Sequence, residues 1–217
     1  MITETQFRQM MPAAGKRLDA HWPFIDEALR WGAIVEPLDI AAFIAQLSHE
    51  SGEYRHMREI HDGSNYEGRL DLGNTEPGDG VRYPGRGGIQ VTGRGAARAA
   101  GRALGVDFEA HPEKMELPEW ATKVSAWFWT AYKPFLQPAS QMGWFRVTTR
   151  ITNGGYNGWA DRLNYYIRNR QILKLPPYTP IGEDAAIRKF QRDHGLEADG
   201  VAGTRTLTAL RAMKVAA

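Results

Sequence analysis

Residues 37–63 read PLDIAAFIAQLSHESGEYRHMREIHDG, and the change of character inside this stretch decides the fold. Up to Ser51, the residues Leu38, Ala41, Ala42, Ala45 and Ser48 recur at helical spacing and form one small, apolar face, with Pro37 suited to a first turn. Gly52 is a stop signal. The part from Gln46 onward carries four carboxylates and three histidines, the densest titratable cluster of the chain. A zinc-protease helix needs a second His four residues after the first, and in that register His49 is followed by Glu53. A solvated helix end accounts for Glu53 and Arg55, and less well for Glu50. Glu50 lies near the negative end of a mostly apolar helix, where desolvation and the helix terminus both favour a protonated, proton-donating carboxyl. Glu59 stands nine positions further on, which on one unbroken helix is the opposite face. A turn at Gly52 would let the two carboxylates act as an acid–base pair, and spacing alone leaves that pairing open.

Downstream, residues 62–95 hold ten glycines and two prolines, with VRY and IQVT as short strand candidates. This predicts a long loop or a small irregular sheet, in which Gln90 and Thr92, two apart on a strand, point to one face. The run PGRGGIQVTGRG lacks the Gly-Lys-Ser/Thr ending of a P-loop and the third glycine of a dinucleotide fingerprint. Helical patterning resumes at 96–104, 118–131, 144–152 and 159–173, and an amphipathic run opens the chain at 2–14. The main part, residues 1–173, is therefore expected to be mainly α. Residues 174–182, with three prolines, read as a linker. Residues 183–217 hold two short amphipathic helices around Ile187, Phe190, Leu207 and Leu210, with Thr204 as a cap for the second. So short a segment cannot bury a large core alone and is expected to lean on the main domain.

The chain has 217 residues, no cysteine and a net charge of +2. Disulfides, a thiol nucleophile and Cys-ligated metals are excluded, and a reducing compartment suits the composition. The pI near 8.9 favours an anionic polymer only modestly. No apolar run approaches a membrane span and no charged-then-apolar leader occupies residues 1–12, so neither membrane insertion nor signal-peptide export is expected.

SHESGEYRHMREI, YEGR followed by LGN, GRGGIQVTGR, ITNGG and ADRLNYY keep one order across residues 38–170. Together they resemble the family-19 glycoside hydrolases, the chitinase-like group that includes phage endolysins. The resemblance implies a lysozyme-like, two-lobed helical domain that cleaves β-1,4 bonds of N-acetylated glycan without cofactor or metal. It implies Glu50 as general acid, Glu59 as the base that activates water, Thr92 as positioner of that water, and Gln90 and Asn153 as substrate contacts. Arg162 resembles the helix arginine that organises the acid carboxylate; Tyr66 and Tyr83 are candidate sugar-stacking rings. His49 shares the motif, as a structural helix-end histidine or a catalytic one. Two departures stand out: Ala96 where the family often has Asn, and Asn157 where chitinases carry an acidic residue. AIRKFQRDHGLEADGVAGTRTLTAL is similar to the type 1 peptidoglycan-binding module, which shifts the expected substrate from chitin to peptidoglycan. The resulting expectation is a monomeric endolysin that binds glycan strands and no nucleic acid, and that accumulates in the host cytoplasm until a separate permeabilising protein admits it to the wall.

Overall fold

The computed structural model describes residues 1–215, and among these all regular structure is helical. The α-helices are α1 (Glu4–Met10), α2 (Arg17–Trp31), α3 (Pro37–Ser51), α4 (Asp79–Arg82), α5 (Arg94–Leu104), α6 (Pro118–Trp127), α7 (Leu136–Gln141), α8 (Phe145–Asn153), α9 (Trp159–Ile172), α10 (Pro180–Asp193) and α11 (Thr204–Val215). Among the described residues no helix is long and apolar enough to cross a membrane. The chain divides into two compact units: residues 1–33 with 47–128, and residues 34–46 with 129–217.

The first unit packs α2 against α6 and α5 against α6. α1 starts on a capping box, in which the Thr3 hydroxyl accepts from Gln6 N–H and the Gln6 side chain accepts from Thr3 N–H. α2 has no counterpart in the sequence reading; Pro23 lies inside it and removes one backbone donor, yet Leu18, Ile25, Ala28 and Leu29 still bury a common face. The expected strands are corrected. Val81 and Arg82 lie in α4, and residues 89–92 form a tight loop closed by an isolated bridge between Arg86 and Val91.

In the second unit, Asp39 is fully buried and accepts from Trp129 Nε1 (2.7 Å), Gln137 Nε2 (2.9 Å) and Ser140 Oγ (2.5 Å). These donors satisfy a carboxylate that would otherwise be costly inside a core. The helix of α6 loosens into a π-turn over Phe128–Tyr132, where the sequence predicted unbroken helix to residue 131.

The C-terminal segment shares its core with α7 and α8. Ile187, Phe190, Ala202, Leu207 and Leu210 cluster with Ala139, Trp144 and Val147, and Phe190 meets Trp144 edge-on at 5.3 Å. α10 begins at Pro180, inside the stretch read as linker, because Pro at a first turn behind the capping Thr179 starts a helix. Thr204 is the first residue of α11, and the carbonyl of Gly203 takes the first helical bond from Leu207 N–H. Glu183 of α10 caps the start of α8, accepting from Arg146 N–H (2.9 Å) and Val147 N–H (3.2 Å), and it also accepts from the Tyr178 hydroxyl (2.6 Å). Burial pushes the Glu183 carboxyl above its usual range. Phe190→Ala should therefore lower the unfolding free energy by about 3 kcal/mol in urea titration. A chain ending at Leu175 should melt well below the full-length protein, because it loses both this core and the cap on α8.

Candidate active site

The last turn of α3 carries Glu50, and the geometry that follows is unusual. Gly52, Glu53 and Tyr54 are three successive residues in the left-handed region, with φ of 55°, 56° and 61°. Two non-glycine residues in that region cost on the order of 1–2 kcal/mol each. Ser51 holds the turn: its hydroxyl donates to Leu47 O (2.7 Å) and accepts from Tyr54 N–H (2.9 Å), while its carbonyl accepts from Arg55 and His56 N–H. Tyr54 is buried, stacks on His21 at 4.0 Å and shares a 2.6 Å hydrogen bond with Thr122. Burial raises its hydroxyl pKa and lowers that of His21 to about 4. The turn required at Gly52 is thus present, and it carries the chain away from the helix axis.

Glu59 sits at the far end of this turn, docked on Gly85. Its N–H donates to Gly85 O (2.8 Å), and its Oε2 accepts from Gly85 N–H (3.0 Å). Its Oε1 accepts from the Tyr66 hydroxyl at 2.8 Å, and Tyr66 is pushed up by its own burial and then by this carboxylate. Tyr66 therefore orients Glu59, a role different from the stacking expected of it. A Cβ at Gly85 would come within 2.9 Å of Gln90 Oε1 and 3.3 Å of Glu59 Oε2, so glycine is what allows both side chains to meet over this backbone.

Gln90 and Thr92 do not lie on a strand. Gln90 is left-handed (φ 55°), and its amide donates to His56 O (3.1 Å) and Gly87 O (3.0 Å), tying the Gly-rich loop to the turn after α3. The Thr92 hydroxyl donates to Gln90 O at 3.0 Å. Glu50, Glu59, Gln90 and Thr92 all belong to the first unit, and all are half-buried. Tyr83 is a correction: it is 1% exposed, Arg82 and Arg94 cover its ring, and its hydroxyl donates to Glu109 O, so no face is open to stack on a sugar.

Six further residues that shape this loop escaped the sequence reading. Glu67 accepts from Gly78 and Gly80 N–H (2.7 and 2.8 Å), and buried Asn74 joins Tyr66 O to Arg94 N–H (2.9 and 2.8 Å). Arg94 grips buried Asp79 through two hydrogen bonds (2.8 and 2.5 Å) and reaches Glu109, which Arg98 also binds. The signal was in YEGR and LGN, whose Glu67 and Asn74 carry these bonds. Arg98 and then Arg94 hold the Glu109 carboxyl at about 2, and Arg94 likewise depresses Asp79.

In the second unit, Arg162 is 1% exposed and donates to Asn157 O (3.0 Å) and to the side chain of Gln46, one turn before Glu50 on α3. Asn153 ends α8 before left-handed Gly154, its Oδ1 buried with no partner among the described residues. Ala96 is buried on α5, and the Asn157 side chain is exposed. Among the described residues no group of three His, Asp or Glu side chains is placed to hold a metal ion.

A helical scaffold that carries two glutamates on either side of a rigid turn is compatible with the carboxylate pair that glycosidic cleavage uses. Residues 184–210 match the peptidoglycan binding domain family. The chain is 27% identical over 197 residues to a glycosyl hydrolase family 19 domain-containing protein of Haemophilus influenzae, covering 76% of this chain and 94% of that one. It is 33% identical over 193 residues to an endochitinase of Arabidopsis thaliana, covering 82% and 66% respectively; of another Arabidopsis endochitinase it spans 56%. The fold resembles a solved bacterial family 19 chitinase, with a TM-score of 0.68 at 24% identity, over 83% of this chain and 98% of the other. The chain belongs to glycoside hydrolase family 19.

Two outcomes follow from this geometry. Tyr66→Phe removes the hydroxyl from Glu59 and keeps the ring, so kcat on a soluble N-acetylated glycan should fall roughly tenfold or more with KM little changed, the value of one hydrogen bond to a charged group. Arg94→Met strands buried Asp79 and should cost about 3 kcal/mol or more in urea unfolding. Because Asp79 and Glu109 are depressed in the fold, their contribution is complete above pH about 4.5 and lost as pH falls towards about 2. Arg94→Met should flatten that acid-side decline of the melting temperature.

Proposed function

We propose that this protein is an endolysin-type enzyme that hydrolyses β-1,4 bonds in the glycan strands of bacterial peptidoglycan, with inversion at the anomeric carbon. Glu50 gives its carboxyl proton to the glycosidic oxygen as the C1–O bond breaks. Glu59, oriented by Tyr66 and Gly85, takes a proton from the water whose oxygen attacks C1 from the opposite side, and Thr92 helps to place that water. Solvent then returns the proton to Glu50 and removes the one on Glu59. Gln90 and Asn153 contact the substrate, and Arg162 steadies the segment of α3 that carries Glu50. The enzyme is delivered to the wall by a separate permeabilising protein.

The observation that carries the choice of substrate is the peptidoglycan binding domain match at residues 184–210, on a segment whose core is continuous with α7 and α8. Chitin is the second reading, favoured by endochitinase relatives such as the Arabidopsis protein. Mass spectrometry of products from purified peptidoglycan and from chitin oligomers separates the two, with soluble disaccharide-peptides expected from the first.

Glu50→Gln should fold and lose about 10² to 10⁴ in rate, and Glu59→Gln should be comparably severe. Early-time NMR should show an α-configured reducing end, as expected for carboxyl groups about 6.5–9.5 Å apart. A β-anomer before mutarotation, or a 1,6-anhydro end of the kind a single-glutamate lytic transglycosylase leaves, would remove Glu59 from the role of base.

A further inference from the structure

The C-terminal segment and α8 enclose a cavity of about 250 Å³ that the hydrolytic machinery does not use. Val147 and Ile187 line it, and Arg146, Arg150, Tyr156 and the turn Gly200–Ala202 surround it. Each side has a distinct chemistry. Val147 and Ile187 are buried members of the core shared by α8 and α10. Tyr156 is 48% exposed and set edge-on to Trp159, which steadies its ring while leaving much of it open. Arg146 and Arg150 are one helical turn apart on α8 and so share a face. Arg150 donates to Ala202 O at 2.6 Å through one terminal nitrogen, and Arg146 pairs with Asp184 through one of its own. A guanidinium has five donors, so each keeps others for a ligand. Arg188 lies beside the same turn, donating to Ala198 O and close enough to Gly200 that a Cβ there would come within 2.9 Å of it. Arg150 and Arg188 thus flank the turn, and Arg146 lines the same cavity. Asp184 is committed to Arg146, and Asp199 accepts from Gln191 and Val201 N–H.

We propose that this cavity is a subsite for a carboxylate-bearing peptide stem of the glycan, with a stem carboxylate held by Arg150 and Arg146 and the adjoining apolar part of the stem against Tyr156. The size agrees, being somewhat below the about 300 Å³ at which pockets for whole ligands begin and therefore suited to a single residue of a longer chain. Planar guanidinium forks favour a carboxylate over a neutral amide. The site is built jointly: α8 and the loop after it supply the charges and the ring, and the C-terminal segment supplies the turn. Arg146, Arg150 and Asn153 follow one another at i, i+4 and i+7, so one face of α8 runs from this cavity to the proposed glycan contact. A chitin strand has no carboxylate to offer here; a peptidoglycan strand has one on every stem. The inference rests on the peptidoglycan reading above and adds a place where that polymer is distinguished.

The test is calorimetric titration of the full-length Glu50→Gln protein with a soluble disaccharide-peptide from peptidoglycan, with the same compound after its carboxylates have been converted to amides, and with a chitin oligomer. Binding of the acid form should be at least tenfold tighter than that of the amide and should weaken with salt. Adding Arg150→Gln should remove most of that preference, and adding Tyr156→Ala should weaken the acid and amide forms alike by about tenfold. Because Arg150→Gln also breaks the bond to Ala202, Tyr156→Ala with an unchanged melting temperature serves as the second variant. Equal binding of acid and amide, a preference that survives Arg150→Gln, or an affinity that Tyr156→Ala leaves unchanged would overturn the subsite. Failure of the wild type to release products from peptidoglycan while it cleaves chitin would overturn the peptidoglycan reading itself.

Discussion

The hydroxyl and carbonyl of Ser51 satisfy four backbone partners at the end of α3, and the first unit is organised around that knot. A helix end leaves carbonyls without intrahelical donors, and many helices resolve this with one left-handed glycine. Here the left-handed path continues through Glu53 and Tyr54, held by the Tyr54–Thr122 hydrogen bond and the His21 stack. The strain is local and lies between the two glutamates, where surrounding packing over-determines it. The same path puts the His56 carbonyl under the Gln90 amide and the Glu59 backbone against Gly85, so the Gly-rich loop closes onto it.

Much of this was legible in the sequence. The bounds of α3, the turn after it, the helices near residues 96, 118, 144 and 159, and the C-terminal pair all follow from apolar spacing and stop signals. What pattern could not convey was conformation at single residues. Gln90 reads as a strand residue because Ile89 and Val91 flank it, but its amide bonds are made from a left-handed backbone that alternation does not encode. Tyr66 and Tyr83 look alike as loop tyrosines. One turns its hydroxyl to Glu59; the other is sealed between Arg82, held by Ala110 O, and Arg94, held by the Asp79 and Glu109 carboxylates fifteen residues from it on either side. α2 went unread because its interior proline resembles a breaker, whereas burial against α6 sustains it.

The C-terminal segment departs from the usual picture of a wall-binding module on a flexible tether, which raises local concentration and little else. Glu183 caps α8, and Phe190 and Leu207 complete a core begun by Trp144. Such a segment is part of the architecture of α8, so whatever it binds is held in fixed geometry to the helix that ends at Asn153. The prolines before it stiffen the connection.

The turn after α3 also works as a ruler. From Glu50 to Glu59 the backbone is tied at several points: Gly52 N–H to His49 O, Glu53 N–H to Ser48 O, Arg55 and His56 N–H to Ser51 O, Glu59 N–H to Gly85 O, and Gly87 N–H to Met57 O. Inserting or deleting one residue there would shift the register of all these bonds at once and swing the second carboxylate off its mount. The number of residues between the two carboxylates is therefore set by geometry.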